Sequence, residues 1–255
     1  MPYELRPMGV GEILDRGLRI YLANLGRLLP IALVLLVPLA LLGIATAEAK
    51  APSPENPENF LSRTMAGYLV TTILGILGGA VLQGALIQAV SDLVLGRPTG
   101  VRTAFGKAFD RLLPMIGAAI LVTIAVMVGL LLFIVPGVVA MAGLSFVNAA
   151  VMLERKSVIE SCRRSWALAR GFRNKVLLLV GLAGVLSLLW GMIVSGFVRW
   201  AHAGPAVLTA LAQAGNVFFA PFASIVTILL YYDLRVRKEA FDLEVLAREM
   251  GRPSP

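Results

Sequence analysis

The sequence predicts an all-α polytopic membrane protein, with six transmembrane helices and amphipathic interfacial helices on the cytoplasmic side. The first observation is composition: of 255 residues, 58% are hydrophobic and 15% are charged, and the mean hydropathy is +0.84. A soluble domain carries about a quarter charged residues, so a water-soluble enzyme is not expected. The second is that the 25 glycines and 14 prolines are spread through apolar runs, which argues against a disordered chain.

Six uncharged stretches are the third observation. Each is long enough to cross about 30 Å of hydrocarbon, which takes roughly 20 helical residues. An amphipathic helix at 8–26 precedes them and a cytoplasmic tail at 233–255 follows, within one membrane domain covering 1–255. The predicted spans are residues 28–47, 64–91, 112–134, 137–153, 176–198 and 216–232.

Two of the boundaries depend on local signals. The apolar run 112–153 is too long for one crossing, and we divide it at Pro136-Gly137 because that pair is a turn signal. The segment 205–215 fits either an outer interfacial helix or the first turns of the sixth span. Cys162 is the only cysteine, so no intramolecular disulfide contributes to the fold.

The basic residues predict the orientation of the chain. Of 23 lysines and arginines, 20 fall on the side of the termini, and only Lys50, Arg63 and Arg199 fall on the other side. Because basic residues accumulate in cytoplasmic loops, both termini are predicted to be cytoplasmic. The formal charge of +8 then reflects topology, and no nucleic-acid partner is expected.

Amphipathic segments precede three of the outward-going spans. They cover about 10–25, 101–112 and 158–169, with apolar residues at helical spacing opposite a charged stripe. We interpret them as three units, each an interfacial helix followed by a transmembrane hairpin. The alternative is that any helix before a basic membrane entry has this pattern. Such helices lie in the headgroup plane, apolar face toward the membrane, with lysines and arginines reaching anionic lipid.

Glycines in the second span predict close helix packing. The spacing Gly75-xxx-Gly79 lets helix backbones approach each other, and Gly78 and Gly84 extend the small-residue face. Polar residues inside the spans, such as Gln83, are interpreted as interhelical hydrogen-bonding groups, with a substrate path as the alternative.

No catalytic, cofactor or metal site is predicted. The only histidine, His202, falls in an outer loop with no acidic neighbour in sequence, so triad chemistry and a histidine metal site lack their components. The sequence contains no phosphate loop or dinucleotide fingerprint. No charged residue falls deep in a predicted span, which weakens the case for an ion-coupled pump. The protein is therefore expected not to be an enzyme.

Two basic clusters form the candidate surface for anionic phospholipid headgroups, or for a membrane or cytoplasmic protein partner. Charge beside an indole at the interface is typical of a headgroup site, and an acid four residues before an arginine predicts a local ion pair. The alternative is that both clusters only anchor the topology and form local salt bridges. The residues are Arg163, Arg164, Trp166 and Arg170 in the first cluster, and Tyr232, Asp233, Arg235 and Arg237 in the second.

Four segments of the chain form a recognisable set. They are 9–16 (GVGEILDR), 95–98 (LGRP), 164–166 (RSW) and 231–239 (YYDLRVRKE), the last being the most specific. Together they resemble the membrane domain of bacterial glycerophosphoryl diester phosphodiesterases, over essentially the whole chain. The resemblance implies a six-helix protein of the bacterial inner membrane. It does not imply phosphodiesterase activity, because that family's chemistry belongs to a separate soluble barrel of roughly 250 residues, which is not expected here.

The predicted function is a non-catalytic membrane module that binds anionic lipid or protein partners at its cytoplasmic face. The alternative is a transporter or a lipid-translocating protein. Pro38 and Pro221 motivate that alternative, because prolines kink spanning helices and free backbone carbonyls within the membrane.

Overall fold

Helices make up every regular element in the part of the chain that the structure describes. The structure is a computed structural model, and it describes residues 6–47, 57–98 and 100–240. The all-α prediction is confirmed. The helices are α1 (Val10–Ala23), α2 (Leu25–Ala47), α3 (Pro57–Val94), α4 (Val101–Phe109), α5 (Leu112–Leu132), α6 (Ile134–Leu144), α7 (Val147–Leu153), α8 (Val158–Ala169), α9 (Arg173–Trp200) and α10 (Pro205–Glu239).

Within the described residues, six helical segments of 20 or more residues are apolar enough to cross a membrane, as predicted. They belong to α2, α3, α5, the consecutive pair α6 and α7, α9 and α10. Along the chain, one of the short helices α1, α4 and α8 precedes each pair of spans. The order of elements is therefore three units, each a short helix followed by a transmembrane hairpin.

The short helices and both described ends of the chain lie at one end of the bundle. The Met8 N–H, before α1, donates to Asp233 near the end of α10 at 2.6 Å. Arg111, before α5, donates to the Arg155 carbonyl after α7 at 2.8 Å. We call this the basic end, because it carries the predicted clusters of arginine and lysine.

The hairpin between α5 and α6 turns at Phe133, three residues before the predicted turn at Pro136-Gly137. Phe133 has extended backbone, with φ −162° and ψ 152°. Pro136 lies in the first turn of α6, where its missing N–H leaves no intrahelical bond unmade. Gly129 lets the two helices meet, since a Cβ on it would lie only 2.9 Å from the Gly137 Cα.

The sixth span is longer at both ends than the sequence predicts. Because α10 is continuous from Pro205, the segment 205–215 is the start of this span and not a separate outer helix. The helix also continues beyond 232, and the rest of the predicted tail, 241–255, lies outside the described residues. Ion pairs at i,i+4 spacing stabilise the extension. They are Asp233–Arg237 and Arg235–Glu239, each at 3.1 Å.

The fourth span is broken at Ser145 and Phe146, between α6 and α7, whereas the sequence predicts one helix over 137–153. Ser165 of α8 bridges the break and is fully buried. Its hydroxyl accepts a hydrogen bond from the Phe146 N–H at 3.0 Å and donates one to the Gly143 carbonyl at 2.7 Å. Irregular backbone at membrane depth needs such protein partners, so α8 braces the break.

The first short helix packs against the bundle. Ile20 is fully buried, and the Tyr21 ring lies 5.9 Å from the Phe222 ring of α10. The apolar stripe predicted to face the membrane is therefore divided between two environments. Its inner part contacts α10, while Leu18 and Leu22 keep 47% and 58% of their surface exposed.

In α8 the buried stripe differs from the predicted one. Ile159 and Trp166, predicted on the apolar face, are 62% and 39% exposed, whereas Ser161 and Ser165 are fully buried. For Ser165 the physical reason is the broken span, because its free backbone groups need that hydroxyl more than they need an apolar contact.

The buried core lies toward the basic end. Val90 of α3 and Leu230 of α10 are fully buried, as are most of their neighbours on the same helices. Of the 18 most apolar consecutive residues of each helix, 11% are buried inside the protein in α5 and in α9, against 61% in α10. The sixth span is therefore the most enclosed, and its last turns hold the side chains that shape the site.

Candidate anion-binding site

A polar cavity opens at the basic end between α3, α4, α7 and α10. Its volume is about 460 Å³, within the range of small-ligand pockets. Five cationic side chains and one carboxylate line it, which leaves an excess of positive charge that attracts anions. We call it the basic cavity. The charged residues are Arg97, Lys107, Arg111, Arg155 and Arg235, with Glu154.

Two loops bring these arginines together from distant parts of the chain. After α3, Gly96 turns the backbone with φ +68°, and the Arg97 N–H donates to the Asp92 carbonyl at 2.7 Å. Arg111 reaches across 44 positions of sequence to donate to the Arg155 carbonyl. Arg155 itself has φ +55°, a left-handed conformation that is uncommon for a residue other than glycine. The start of α5 and the end of α7 are thereby held together at the cavity.

Buried hydrogen bonds form the floor of the basic cavity. The hydroxyls of Ser91 and Tyr232 are 2.6 Å apart and both residues are buried. Gln88 donates to Asp92 at 3.0 Å, and the Lys107 ammonium lies 3.5 Å from the other Asp92 oxygen. The floor is therefore rigid, and part of the Lys107 charge is balanced by a carboxylate that is only 6% exposed.

Glu154, the carboxylate of the cavity, is already bonded to cations. Arg164 donates to its two oxygens at 2.9 and 3.0 Å, Lys156 lies 3.1 Å away, and the Tyr231 hydroxyl also donates to it. Burial opposes ionisation, but these hydrogen bonds outweigh it, so the pKa of the Glu154 carboxyl is lowered. Its charge is thus held mainly by Arg164 and Lys156, which do not line the cavity, and the five lining cations still outnumber the lining carboxylate.

A second ionic network ties the N-terminal arm to the last two spans. The Asp233 side chain is fully buried and accepts bonds from the Met8 N–H at 2.6 Å, Lys175 at 2.5 Å and Arg237 at 3.1 Å. Lys175 and Arg237 also donate to the Met8 carbonyl, at 2.7 and 2.9 Å. The predicted pair of Asp233 with Arg237 is confirmed, and it is structural.

The eight residues predicted to form a binding surface divide into three groups. Tyr232 and Arg235 line the basic cavity, and Arg163 and Arg170 are exposed at the same end. Internal ion pairs or packing contacts involve Arg164, Trp166, Asp233 and Arg237. The side chains of this last group form local contacts within the protein, which agrees with the alternative that the clusters form local salt bridges.

Sequence reasoning counted four cavity residues only as topology signals. They are Arg97, Lys107, Arg111 and Arg155. A usable signal exists for two of them: Arg111 and Arg155 flank one transmembrane hairpin, so their side chains must return to the same end of the bundle. The contribution of the loop after α3 requires knowledge of how the hairpins pack.

A second cavity lies between the same spans, on the side away from the basic end, and we call it the span groove. Its volume is about 450 Å³. Asn148 of α7 donates to Gln83 of α3 at 2.7 Å along its wall. Most of the lining is small or apolar. Representative residues are Ala80, Leu86, Met115, Ala149 and Ala220.

The predicted packing glycines of α3 have two different environments. A Cβ on Gly78 would lie 2.9 Å from Leu39 of α2, and one on Gly84 would lie 3.1 Å from an alanine Cβ of α4. These two glycines allow close helix contact. A Cβ on Gly75 or Gly79 would meet nothing within 4 Å, so the close-packing prediction is wrong for both. They line the span groove, where neighbouring helices diverge from α3.

The described part of the chain offers no metal site and no reactive histidine or cysteine. Within 6–47, 57–98 and 100–240, no group of three or more His, Cys, Asp and Glu residues could hold a metal ion. His202 lies in the turn between α9 and α10 and is exposed. Burial raises the pKa of the Cys162 thiol, which disfavours the reactive thiolate at neutral pH.

Two curated proteins are similar to part of the chain. A UPF0259 membrane protein of Pectobacterium carotovorum is 30% identical over 122 residues, covering 47% of this chain and 46% of that protein. A UPF0259 membrane protein of Sodalis glossinidius is 30% identical over 117 residues, covering 46% and 45%. The chain spans about half the length of the curated relatives it matches.

No protein-family model and no solved structure matches the chain. The resemblance to the membrane domain of glycerophosphoryl diester phosphodiesterases therefore stays a prediction. The names of both relatives, together with the six apolar helices, support a multi-pass membrane protein.

Proposed function

We propose that this protein is a non-catalytic module of the bacterial inner membrane that binds a phosphate-bearing anionic group in the basic cavity. The carrying observation is the excess of positive charge around a cavity whose one lining carboxylate is already bonded to other residues. Arginine side chains bind phosphate oxygens through charge-assisted, often bidentate hydrogen bonds. The group belongs either to a lipid headgroup or to a free phosphate compound.

The proposal places the basic end at the cytoplasmic surface, where anionic headgroups and soluble phosphates are both within reach. It follows from the distribution of basic residues between the two ends of the spans. A reporter enzyme fused behind Pro255 tests the orientation. Activity characteristic of the cytoplasm is expected, and periplasmic activity would contradict it.

Binding is tested with the purified chain in mild detergent. Arg97→Gln with Arg155→Gln removes two charges from the basic cavity, while Arg163→Gln with Arg170→Gln removes two exposed charges at the same end. Each hydrogen bond to a charged group contributes about 1.5–3 kcal/mol. The cavity variant should therefore lose at least about tenfold in affinity for phosphatidylglycerol vesicles, and the control should bind like the wild type.

The two sources of phosphate are separated by competition. If glycerol 3-phosphate displaces phosphatidylglycerol at low concentration, then the cavity binds a soluble compound. If only lipid competes, then the headgroup is bound as part of a membrane lipid. Unchanged binding of both ligands by the cavity variant would refute the proposed function.

Movement of a lipid or solute across the membrane is a second candidate function, favoured by the broken fourth span and the span groove beside it. Discontinuous spanning helices are a feature of transporters. Pro38 and Pro221, the earlier motivation, lie inside continuous helices and break neither of them. Reconstituted vesicles that show no transfer of a fluorescent anionic lipid would exclude this lipid-translocation candidate.

A further inference from the structure

The basic cavity and the span groove are stacked along the same three helices. On α3, Ser91 lines the basic cavity and Ile87, one turn earlier, lines the span groove. On α7, Met152 lines the first and Asn148, one turn away, lines the second. On α10 the corresponding residues are Tyr232 and Thr227. The charged compartment therefore lies directly next to a compartment at the depth of the hydrocarbon, on successive turns of the same helices.

The span groove has the length of one leaflet. The stretch of α3 that lines it, from Gly75 to Ile87, rises about 18 Å at 1.5 Å per residue. Half of a hydrocarbon core about 30 Å thick is about 15 Å. An acyl chain whose headgroup lies in the basic cavity would run along the groove for its leaflet depth.

The groove is open to the bilayer where α3 lacks side chains. Gly75 and Gly79 are exposed, and added Cβ atoms there would meet nothing within 4 Å. A lipid in the same leaflet can therefore enter sideways between the spans. A ligand that reached the groove only from water would need no opening at this depth.

The walls of the groove suit a chain that makes no hydrogen bonds. The hydroxyls of Ser145, Ser224 and Thr227 donate to carbonyls four residues earlier on their own helices. Asn148 donates to Gln83, while its own Oδ1 is buried and, within the described residues, has no partner. Hydrocarbon in the groove would thus displace few hydrogen-bonding partners.

We propose that the span groove binds an acyl chain of the anionic phospholipid whose phosphate occupies the basic cavity. This inference rests on the proposed function and narrows its ligand to a membrane lipid bound by both ends. The headgroup contributes through charge, and the acyl chain through packing against α3, α7 and α10.

Filling the groove tests the proposal. Gly79→Leu adds a side chain into open space in the groove, while Gly184→Leu adds the same volume on an exposed part of α9. Phosphatidylglycerol retained by delipidated and reloaded protein is counted by native mass spectrometry, and glycerol 3-phosphate binding is measured on the same samples. Gly79→Leu should lower lipid retention about tenfold and leave glycerol 3-phosphate binding unchanged. Gly184→Leu should change neither.

The outcomes separate the two proposals. Normal lipid retention by Gly79→Leu, with reduced retention by the variant Arg97→Gln with Arg155→Gln, would overturn the acyl site and keep the headgroup site. Normal lipid retention by both variants, together with unchanged glycerol 3-phosphate binding by the variant Arg97→Gln with Arg155→Gln, would overturn the proposed function as well. A second measurement needs no variant: the wild type should bind dihexanoyl phosphatidylglycerol more tightly than glycerol 3-phosphate. Equal affinities would refute an acyl contribution.

Discussion

Replacing Ser165 with alanine should destabilise the protein by breaking the brace across the fourth span. The Ser165 hydroxyl satisfies the Phe146 N–H and the Gly143 carbonyl, at 3.0 and 2.7 Å. The serine is fully buried, so water cannot replace it without opening the structure. The substitution removes one oxygen atom and leaves two backbone groups without partners.

The size of the effect follows from those two groups. A buried donor or acceptor that loses its partner costs about 1–3 kcal/mol, so two of them cost about 2–6 kcal/mol. Because a typical domain is stable by only about 5–15 kcal/mol, the loss should be large enough to measure in detergent.

Ser161 is the matched control, since it lies one turn earlier on α8 and is equally buried. Within the described residues its hydroxyl has no hydrogen-bond partner. Ser161→Ala therefore removes a polar group that gains nothing from folding, and it should be neutral or slightly stabilising. The two variants change the same atoms in the same helix and should differ by at least about 2 kcal/mol.

The assay is equilibrium unfolding in mild detergent with increasing mole fraction of dodecyl sulfate, followed by tryptophan fluorescence. Equal stability of Ser165→Ala and Ser161→Ala would refute the reasoning, because burial alone would then account for both serines. Hydrogen exchange adds a local test. The Phe146 amide should exchange faster in Ser165→Ala and stay protected in Ser161→Ala.

Three further predictions use the same unfolding assay. Asp233→Asn should cost about 3–5 kcal/mol, because it leaves the charge of Lys175 without its buried partner. Folding lowers the pKa of the Glu154 carboxyl below its ordinary value of 4.5. The stability that this carboxylate contributes is therefore complete above pH 4.5 and is lost as the pH falls through the lowered pKa. Glu154→Gln should remove this pH dependence. Gly143→Ala should cost about 1–3 kcal/mol, because its Cβ would overlap the Trp166 indole.

Each of these has an internal comparison. Asp15→Asn breaks an ion pair with Arg19 in which both side chains are mostly exposed, and it should leave stability unchanged. Gly184→Ala adds a Cβ into open space and should be tolerated. An acid transition in Glu154→Gln identical to that of the wild type would assign the pH dependence to other carboxylates.

The number of spans could be predicted from sequence because hydropathy is a local property. A run of about 20 uncharged residues has one stable solution in a bilayer, so α2 and α9 follow directly from composition. The ends of the spans are less predictable. Phe133 turns the chain before Pro136 because proline is acceptable in a first helical turn, and a pattern search counts it as a breaker.

The broken span and the two cavities could not be predicted, because both depend on contacts between distant residues. The 137–153 run contains no residue that must end a helix near Ser145, and the partner that permits the break, Ser165, is on another element. Likewise, a basic residue in a loop carries the same sequence signal whether it forms an ion pair or lines a cavity. Arg164 and Arg97 are distinguishable only through their neighbours.

Charge compensation explains why the cavity, and not the predicted clusters, is the better candidate site. Where α9 begins and α10 ends, Asp233 forms ion pairs with both Lys175 and Arg237, so these two cations need no further anion. Around the basic cavity, five cations and one carboxylate form the lining, and that carboxylate, Glu154, is bonded to Arg164. Asp92 and Glu239 pair with Lys107 and Arg235, which still leaves more basic than acidic groups there. Nearby low-dielectric walls strengthen the remaining field. An anion from outside the chain would offset this positive field, and the phosphates of the lipid headgroups are the nearest anions.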